Sequence, residues 1–154
     1  MGVADRRRAC EAENRSPPTP KESVTGELEH GTRRSRPVVL VCEDDASLRG
    51  LLHLSLGGVF DVLEATDGNE SVELARTARP DAVVVDLMLP GVLGIDVIRA
   101  VRAEAGTGPM RIVALSAWSH LDQEAVEAGA DRFLSKPFDP EELRAVLSEL
   151  LEAA

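Results

Sequence analysis

Residues 80–91 of the chain read Pro-Asp-Ala-Val-Val-Val-Asp-Leu-Met-Leu-Pro-Gly. Four consecutive apolar residues, 82–85, stand between two aspartates, and a Pro-Gly pair closes the stretch. A short, unbroken apolar run bounded by turn residues is typical of a strand that is buried on both faces of a parallel sheet. The stretch therefore predicts an interior strand over 81–86, with Asp86 at its carboxyl end.

From Pro37 onward, short apolar runs alternate with longer segments whose apolar residues have helical spacing. This alternation is the pattern of an α/β fold with a doubly wound parallel sheet. It predicts further strands at 38–42, 60–64, 111–115 and 132–135, and helices beginning near Leu48, at 69–78, 94–104 and 122–128, and from Pro140 almost to the end. The weakest run, 60–64, is expected near a sheet edge. Asp139 is expected to cap the last helix, with Pro140 in its first turn.

Composition divides the chain into a tail and one domain. Residues 1–36 mix charged and small polar residues with three closely spaced prolines and only three large aliphatics, which predicts a disordered N-terminal tail. A chain of 154 residues that is 44% hydrophobic can bury one domain core. We therefore expect one domain over 37–154 and no second folded output domain.

The acidic charge is concentrated in the predicted domain. Residues 1–36 carry eight Lys/Arg and six Asp/Glu, net +2, so a whole-chain charge of −10 leaves −12 for residues 37–154. Such a domain repels phosphate backbones. We therefore expect its partners to be proteins and expect no direct binding to nucleic acid.

Neither the cysteines nor the apolar runs suggest a secreted or membrane protein. Two cysteines, Cys10 in the tail and Cys42 in an apolar run, cannot form a disulfide framework or a four-ligand zinc site. The longest apolar run, 38–42, is far shorter than the ~20 residues that cross a bilayer. No apolar stretch follows Arg6–Arg8, as a signal peptide would require. The expected setting is the reducing cytoplasm, without a membrane span.

Polar residues stand at the carboxyl ends of four predicted strands. The first, third, fourth and fifth strands end, in order, in Glu43-Asp44-Asp45, Asp86, Ser116 and Lys136. The carboxyl ends of parallel strands share one edge, where open α/β sheets bind ligands. Carboxylates gathered there repel one another unless a cation enters, and Mg²⁺ suits them because it accepts carboxylate and phosphoryl oxygens. A carboxylate beside the ion can attack phosphorus and hold the phosphoryl group as an acyl phosphate.

Each of these residues alone has an ordinary structural explanation. Asp44 or Asp45 could serve only as a helix cap before Ala46, and Asp86 could simply start a turn. A single serine or lysine at a strand end is common. Only the joint placement of these side chains favours a phosphoryl-accepting site.

From about Pro37 to Leu151 the chain resembles the CheY-like receiver domain of bacterial two-component response regulators. Besides residues 80–91, the motifs that carry the resemblance are 39–49 (Val-Leu-Val-Cys-Glu-Asp-Asp-Ala-Ser-Leu-Arg), 114–117 (Ala-Leu-Ser-Ala) and 128–138 (Ala-Gly-Ala-Asp-Arg-Phe-Leu-Ser-Lys-Pro-Phe). The resemblance implies a flavodoxin-like (βα)5 fold with five parallel strands in the order 2-1-3-4-5.

The resemblance also implies roles for the acidic residues. Asp86 is implied to be the phosphoacceptor and to help hold Mg²⁺ together with Glu43, Asp44 and the backbone carbonyl of Met88. Asp44 is expected to bind the ion directly, and Glu43 is expected to act more through water. Asp45 is then only their neighbour.

Three further residues are implied to respond to the phosphoryl group. Lys136 is expected to pair with the acceptor and then with the phosphoryl group, and the peptide bond to Pro137 is expected to be cis. Ser116 is expected to bind a phosphoryl oxygen and to form a switch with Phe133, whose ring follows the hydroxyl inward. This motion would change the surface of the fourth helix, fifth strand and fifth helix. A plain core role is the alternative for Phe133.

The function implied is that of a single-domain response regulator. It would accept a phosphoryl group from a sensor histidine kinase or a phosphotransfer protein and would signal through a downstream protein, with phosphorylation-dependent homodimers as one form. No enzyme activity is expected beyond slow self-dephosphorylation. One alternative is a pseudo-receiver that only docks partners, which the intact acidic and lysine set opposes. Another is a phosphohydrolase of the haloacid dehalogenase class, which needs a second Asp where Met88 stands.

One segment departs from the family pattern. Ser116 and Lys136 are 20 positions apart, fewer than the family usually has, which predicts a shortened loop and fourth helix. Trp118 lies in this segment and could be a partner-binding anchor, a lid over the phosphoryl group or a packing residue. Because Met88 and Trp118 are bulky and close to the acceptor, we also expect them to hinder hydrolysis of the acyl phosphate.

Overall fold

The computed structural model describes residues 35–104 and 110–153, the side chain of Ala153 excepted. Arg36–Ala154 form one compact unit. Residues 1–34 lie outside the described part of the chain, so the disordered tail remains a prediction. By sequence Arg36 was assigned to that tail, but its guanidinium donates to carbonyl oxygens of the domain at Gly57, Val59 and Phe60.

Five parallel strands form one sheet in the order β2-β1-β3-β4-β5, which confirms the predicted fold and strand order. The strands are β1 Val38–Cys42, β2 Asp61–Ala65, β3 Ala82–Asp86, β4 Arg111–Ser116 and β5 Arg132–Ser135. In the register of the sheet, Cys42 pairs with Val85, and Asp86 pairs with Leu115. The residues that follow β1 and end β4 therefore lie next to Asp86.

A helix follows each strand. The helices are α1 Ala46–Leu56, α2 Gly68–Ala78, α3 Gly94–Ala103, α4 Asp122–Ala128 and α5 Pro140–Ala153. A turn of 3₁₀ helix, Ser119–Leu121, leads into α4, whose seven residues make it the shortest α-helix in the described part of the chain. None of the described helices combines the length and the apolar character that crossing a membrane requires.

Alternate residues of the central strands point to opposite faces of the sheet, and helices cover both faces. One set packs with α2, α3 and α4 and includes Leu40, Cys42, Val83 and Val85. The other set packs with α1 and α5 and includes Val39, Val41, Val84 and Leu115. Burying each such leucine or valine contributes ~1.5–3 kcal/mol, which explains the unbroken apolar runs of β1 and β3.

The starts of α5 and β2 can be compared with the positions predicted from the sequence. Asp139 caps α5 as predicted, because its Oδ1 accepts a hydrogen bond from the amide of Glu141 (2.9 Å). β2 is an edge strand, as expected, but begins one residue later than predicted. The amide of Phe60 instead bonds the carbonyl of Leu56 in the turn that leaves α1 (2.9 Å), and its ring is buried in the core. The apolar character of residue 60 thus reflects core packing.

Candidate functional site

Three acidic residues connect β1 to α1, and their surroundings differ. Glu43 is buried, and its Oε2 accepts a hydrogen bond from the amide of Asp45 (3.2 Å). Asp45 caps α1, since its Oδ1 accepts from the amides of Ser47 (2.9 Å) and Leu48 (3.3 Å). Asp44 is exposed, and its carboxylate has no hydrogen bond or ion pair within the described part of the chain. Helix capping therefore explains Asp45, whereas the carboxylates of Glu43 and Asp44 do not cap a helix and are available as ion ligands.

Asp86 is the last residue of β3 and is 4% exposed. Its Oδ1 accepts a hydrogen bond from the amide of Met88 (2.9 Å). Gly94, the first residue of α3, packs against the acceptor backbone: a Cβ there would lie 2.4 Å from the carbonyl oxygen of Asp86 and 2.4 Å from the Cα of Leu87. A glycine at residue 94 therefore lets α3 begin in contact with the acceptor.

Lys136 follows β5 and joins two of the buried carboxylates. Its Nζ lies 2.9 Å from Asp86 Oδ2 and 3.0 Å from Glu43 Oε1. The amide of Lys136 also donates to the carbonyl of Ser116 (2.8 Å), and its peptide bond to Pro137 is cis, as expected. The fold therefore brings together the carboxylates and the amine that the sequence placed at separate strand ends.

The pKa values in this group reflect burial and neighbouring charge. Burial raises the pKa of Glu43 to about 7, the hydrogen bond from Lys136 opposes that rise, and the Asp86 carboxylate adds to it. Burial by itself would lower the pKa of Lys136, but its hydrogen bonds to Asp86 and Glu43 raise that pKa above its ordinary value. Lys136 is therefore a cation at neutral pH and supplies one positive charge to three neighbouring carboxyl groups.

The three carboxyl groups can hold a divalent cation. Glu43, Asp44 and Asp86 each offer an oxygen, and these oxygens lie within 4.8 Å of one another. Oxygen donors with negative charge fit a hard ion such as Mg²⁺, which retains several of its waters in proteins. Asp44 faces solvent on this cluster, which leaves space for those waters. The residues present therefore fit Mg²⁺.

Ser116 and Phe133, the predicted switch pair, lie on adjacent strands. Ser116 ends β4 with a fully buried side chain, and its Oγ accepts a hydrogen bond from the amide of Trp118 (3.0 Å). Phe133 of β5 pairs with Ala114, two residues before Ser116, and its half-buried ring packs against the core that faces α2, α3 and α4. This packing is compatible with a core role and with a switch role, so the switch remains a prediction.

Residues 39–148 match the family model of the response regulator receiver domain. This chain belongs to the response regulator receiver family. The matched residues include β1 from Val39 onward, the other four strands and more than half of α5.

The chain is similar to curated DNA-binding regulators. MtrA of Mycobacterium tuberculosis, a DNA-binding response regulator, is 44% identical over 117 residues, which is 74% of this chain and 49% of MtrA. RpaA of Synechocystis, a DNA-binding dual master transcriptional regulator, is 34% identical over 119 residues, with 75% and 49% covered. The chain spans about half the length of the curated relatives it matches.

Solved structures share the receiver's fold. The chemotaxis response regulator CheY4 of Vibrio cholerae has a TM-score of 0.71 at 29% identity, and the match covers 75% of this chain and 99% of CheY4. The receiver domain of a sensor histidine kinase from Pseudomonas aeruginosa, solved with magnesium coordinated in its active-site cleft, has a TM-score of 0.67 at 28% identity, covering 77% and 99%. Receiver domains are phosphoacceptors of two-component systems and bind Mg²⁺ in an acidic site.

Two bulky side chains of the receiver are exposed near the candidate site in sequence. Met88 is 50% exposed and Trp118 is 54% exposed. The Trp118 ring tilts against that of His120, with ring centroids 5.7 Å apart. The exposure of Trp118 disfavours the packing role, whereas the partner-anchor and lid roles both remain open.

Sequence reasoning missed two residues of the receiver's site. Gly94 was only the start of a predicted helix, although a glycine at that position is a weak signal of close backbone approach. Arg49 stood in a quoted motif without a role, yet its guanidinium donates to the backbone carbonyl of Glu43 (2.9 Å). The direction of the Arg49 side chain depends on its contact with Glu64 in β2. The sequence pattern does not reveal that contact.

Proposed function

We propose that this receiver accepts a phosphoryl group on Asp86 from a sensor histidine kinase or a phosphotransfer protein, with Mg²⁺ as cofactor. The observation that carries the proposal is the position of Lys136, whose Nζ binds both Asp86 and Glu43 while Asp44 stands next to them. A buried carboxylate beside an amine and an ion site has the groups that in-line phosphoryl transfer needs.

In the proposed step, a carboxylate oxygen of Asp86 attacks the phosphorus of a phosphohistidine. The new bond joins that oxygen to phosphorus, and the phosphorus–nitrogen bond of the donor breaks. Its electron pair stays on the imidazole nitrogen, which takes a proton from solvent. Mg²⁺, held by Glu43, Asp44, Asp86 and the carbonyl of Met88, would supply positive charge to the phosphoryl oxygens.

Residues of the chain then hold the product. Lys136 moves its ion pair from the Asp86 carboxylate to a phosphoryl oxygen, and the Ser116 hydroxyl donates to another. Phe133 responds to the new position of Ser116 and alters the surface formed by α4, β5 and α5. Slow attack of water on phosphorus breaks the oxygen–phosphorus bond, releases phosphate and restores Asp86, which is the only turnover in the proposal.

The proposed output is a contact with another protein or with a second copy of the receiver. Residues 37–154 carry a charge of −12 by subtraction of the +2 tail from the total of −10, which disfavours a direct contact with nucleic acid. MtrA and RpaA are DNA-binding proteins of about twice the matched length. We therefore propose that the receiver region itself signals through contacts with proteins.

Incubation with Mg²⁺ and acetyl phosphate, followed by intact-mass measurement, tests the proposal. We expect the wild type to gain the mass of one phosphoryl group and Asp86→Asn to gain none. A wild type that gains no mass with either acetyl phosphate or a phosphorylated histidine donor would instead favour a docking-only pseudo-receiver. Rapid release of many phosphate equivalents per chain would favour a phosphohydrolase.

A further inference from the structure

The two peptide groups that flank Glu43 are fixed from outside the ion site. The amide of Glu43 donates to the carbonyl of Ala65 at the end of β2 (3.0 Å), and its carbonyl accepts from Nη1 of Arg49 (2.9 Å). Both carboxylates extend from this short connection between β1 and α1. The carbonyl of Glu43 belongs to the peptide group that joins Glu43 to Asp44. Any rotation of that peptide group would move the two carboxylates relative to each other.

Arg49 is itself held in place by the edge strand. Its Nε donates to Oε1 of Glu64 in β2 (3.1 Å), and the other oxygen of Glu64 contacts Nδ1 of His53. The guanidinium is a rigid fork, so it can bind a carboxylate and a carbonyl at once with defined geometry. Arg49 is 19% exposed, which places its contact with Glu43 largely away from solvent. It therefore connects β2 to the backbone of the ion site.

We propose that Arg49 is a positioning residue for Mg²⁺: it fixes the peptide group that joins Glu43 and Asp44 and so sets the spacing of their carboxylates. The inference rests on the proposed function because it assumes that these carboxylates hold the ion. Mg²⁺ demands near-octahedral geometry, so small displacements of its ligands weaken binding. Loss of a residue that orients metal ligands typically lowers metal affinity ~10–100-fold.

Charge repulsion would act in the opposite direction. Arg49 is a cation close to a cation site, so repulsion alone would make its removal tighten Mg²⁺ binding. Its ion pair with Glu64 offsets much of that charge. The sign of the change in affinity therefore separates positioning from repulsion.

Calorimetric titration with Mg²⁺ of the full chain, without a phosphodonor, tests the inference. We expect Arg49→Met to raise the Mg²⁺ Kd ~10-fold. Arg49→Lys keeps the charge and the alkyl chain but loses the fork, and we expect it to raise the Kd as well. Arg76→Met is the matched control, because Arg76 pairs with Glu73 within α2, and its Kd should equal that of the wild type.

The outcomes are distinguishable from failure of the proposed function. Unchanged or tighter Mg²⁺ binding in Arg49→Lys and in Arg49→Met would overturn the inference, even if the wild type accepts phosphate. Should Arg49→Met not fold, the Arg49→Lys result alone decides. A wild type that binds Mg²⁺ but accepts no phosphate would overturn the proposed function and leave the Arg49 comparison valid. A wild type that binds no Mg²⁺ would overturn both.

Discussion

Asp44 is exposed and lies next to two acidic side chains, so its charge affects the free energy of unfolding of the metal-free protein. Its carboxylate oxygen lies within 4.8 Å of those of Glu43 and Asp86, so Asp44→Asn removes repulsion from the metal-free protein. We expect this variant to unfold at higher urea concentration without Mg²⁺, with a gain of up to ~1 kcal/mol because the site is partly solvated.

The same substitution should abolish the stabilisation that Mg²⁺ gives the wild type, because an ion stabilises only the state that binds it. Urea unfolding with and without Mg²⁺ measures both effects. Glu152→Gln, which removes an exposed acid near the end of α5, serves as the control for a general charge effect. A destabilised Asp44→Asn, or one that keeps the full Mg²⁺ effect, would contradict this description of the site.

Met88 and Trp118 are the residues expected to control the lifetime of the acyl phosphate. Both side chains are half exposed, and the backbone amide of each is bound to a site residue: Met88 to Asp86, and Trp118 to Ser116. We expect Met88→Asn and Trp118→Ala to lose phosphate faster than the wild type, because the smaller side chains obstruct the attacking water less. Phosphate release from the phosphorylated proteins measures this. Equal rates in all three proteins would refute the idea.

At the level of single residues, the sequence identified the types of chemistry but not every assignment. The run Glu43-Asp44-Asp45 is compatible with a helix cap and with ion ligands, because both need an acid before a helix. Only the observed directions of the side chains separate Asp45, which bonds the amides of α1, from its two neighbours. The role of Arg49 was missed because it, too, depends on the direction of a side chain, here toward the carbonyl of Glu43.

Among the elements, the start of α3 is tightly constrained by the backbone of the acceptor. A Cβ at Gly94 would lie 2.4 Å from the Asp86 carbonyl oxygen, whereas a Cβ at Gly50 in α1 would meet nothing within 4 Å. We expect Gly94→Ala to cost ~1–3 kcal/mol or more, because backbone atoms must move. Gly50→Ala should instead stabilise by ~0.5–1 kcal/mol, because alanine is the better helix former.

Chemical unfolding of the two alanine variants measures both effects in the same protein. Since Gly94 contacts the acceptor backbone, Gly94→Ala should also slow phosphorylation by acetyl phosphate, while Gly50→Ala should not. A Gly94→Ala protein with wild-type stability would show that α3 does not hold the acceptor in the described way.

The existence of the elements was predictable, while their contacts were not. Apolar runs located β1 at its observed bounds and β3 to within one residue, because strands buried on both faces consist mainly of apolar residues. The shortened segment before Lys136 predicted a short fourth helix, and α4 has seven residues. The hydrogen bonds between long side chains and backbone carbonyls depend on tertiary packing. The guanidinium of Arg102, for example, donates to the carbonyls of Gly129 and Met110.

For the molecule as a whole, the two-sided sheet makes β1 a probe of global unfolding. Cys42 is fully buried in this strand, and burial raises the pKa of its thiol to about 12, so the reactive thiolate is scarce at neutral pH. In a Cys10→Ser protein we expect alkylation of Cys42 to rise only with global unfolding in urea. Rapid alkylation under native conditions would show that the sheet opens locally at β1.

We expect Asp86, and none of its acidic neighbours, to take the phosphoryl group. Borohydride reduces an aspartyl phosphate to homoserine, and peptide mass spectrometry then locates the modified residue. After incubation with acetyl phosphate and Mg²⁺, we predict homoserine at position 86 alone, and none when Mg²⁺ is chelated. Homoserine at position 44 or 45 instead of 86, or at no position in a folded, Mg²⁺-loaded protein, would show that Asp86 is not the phosphoacceptor.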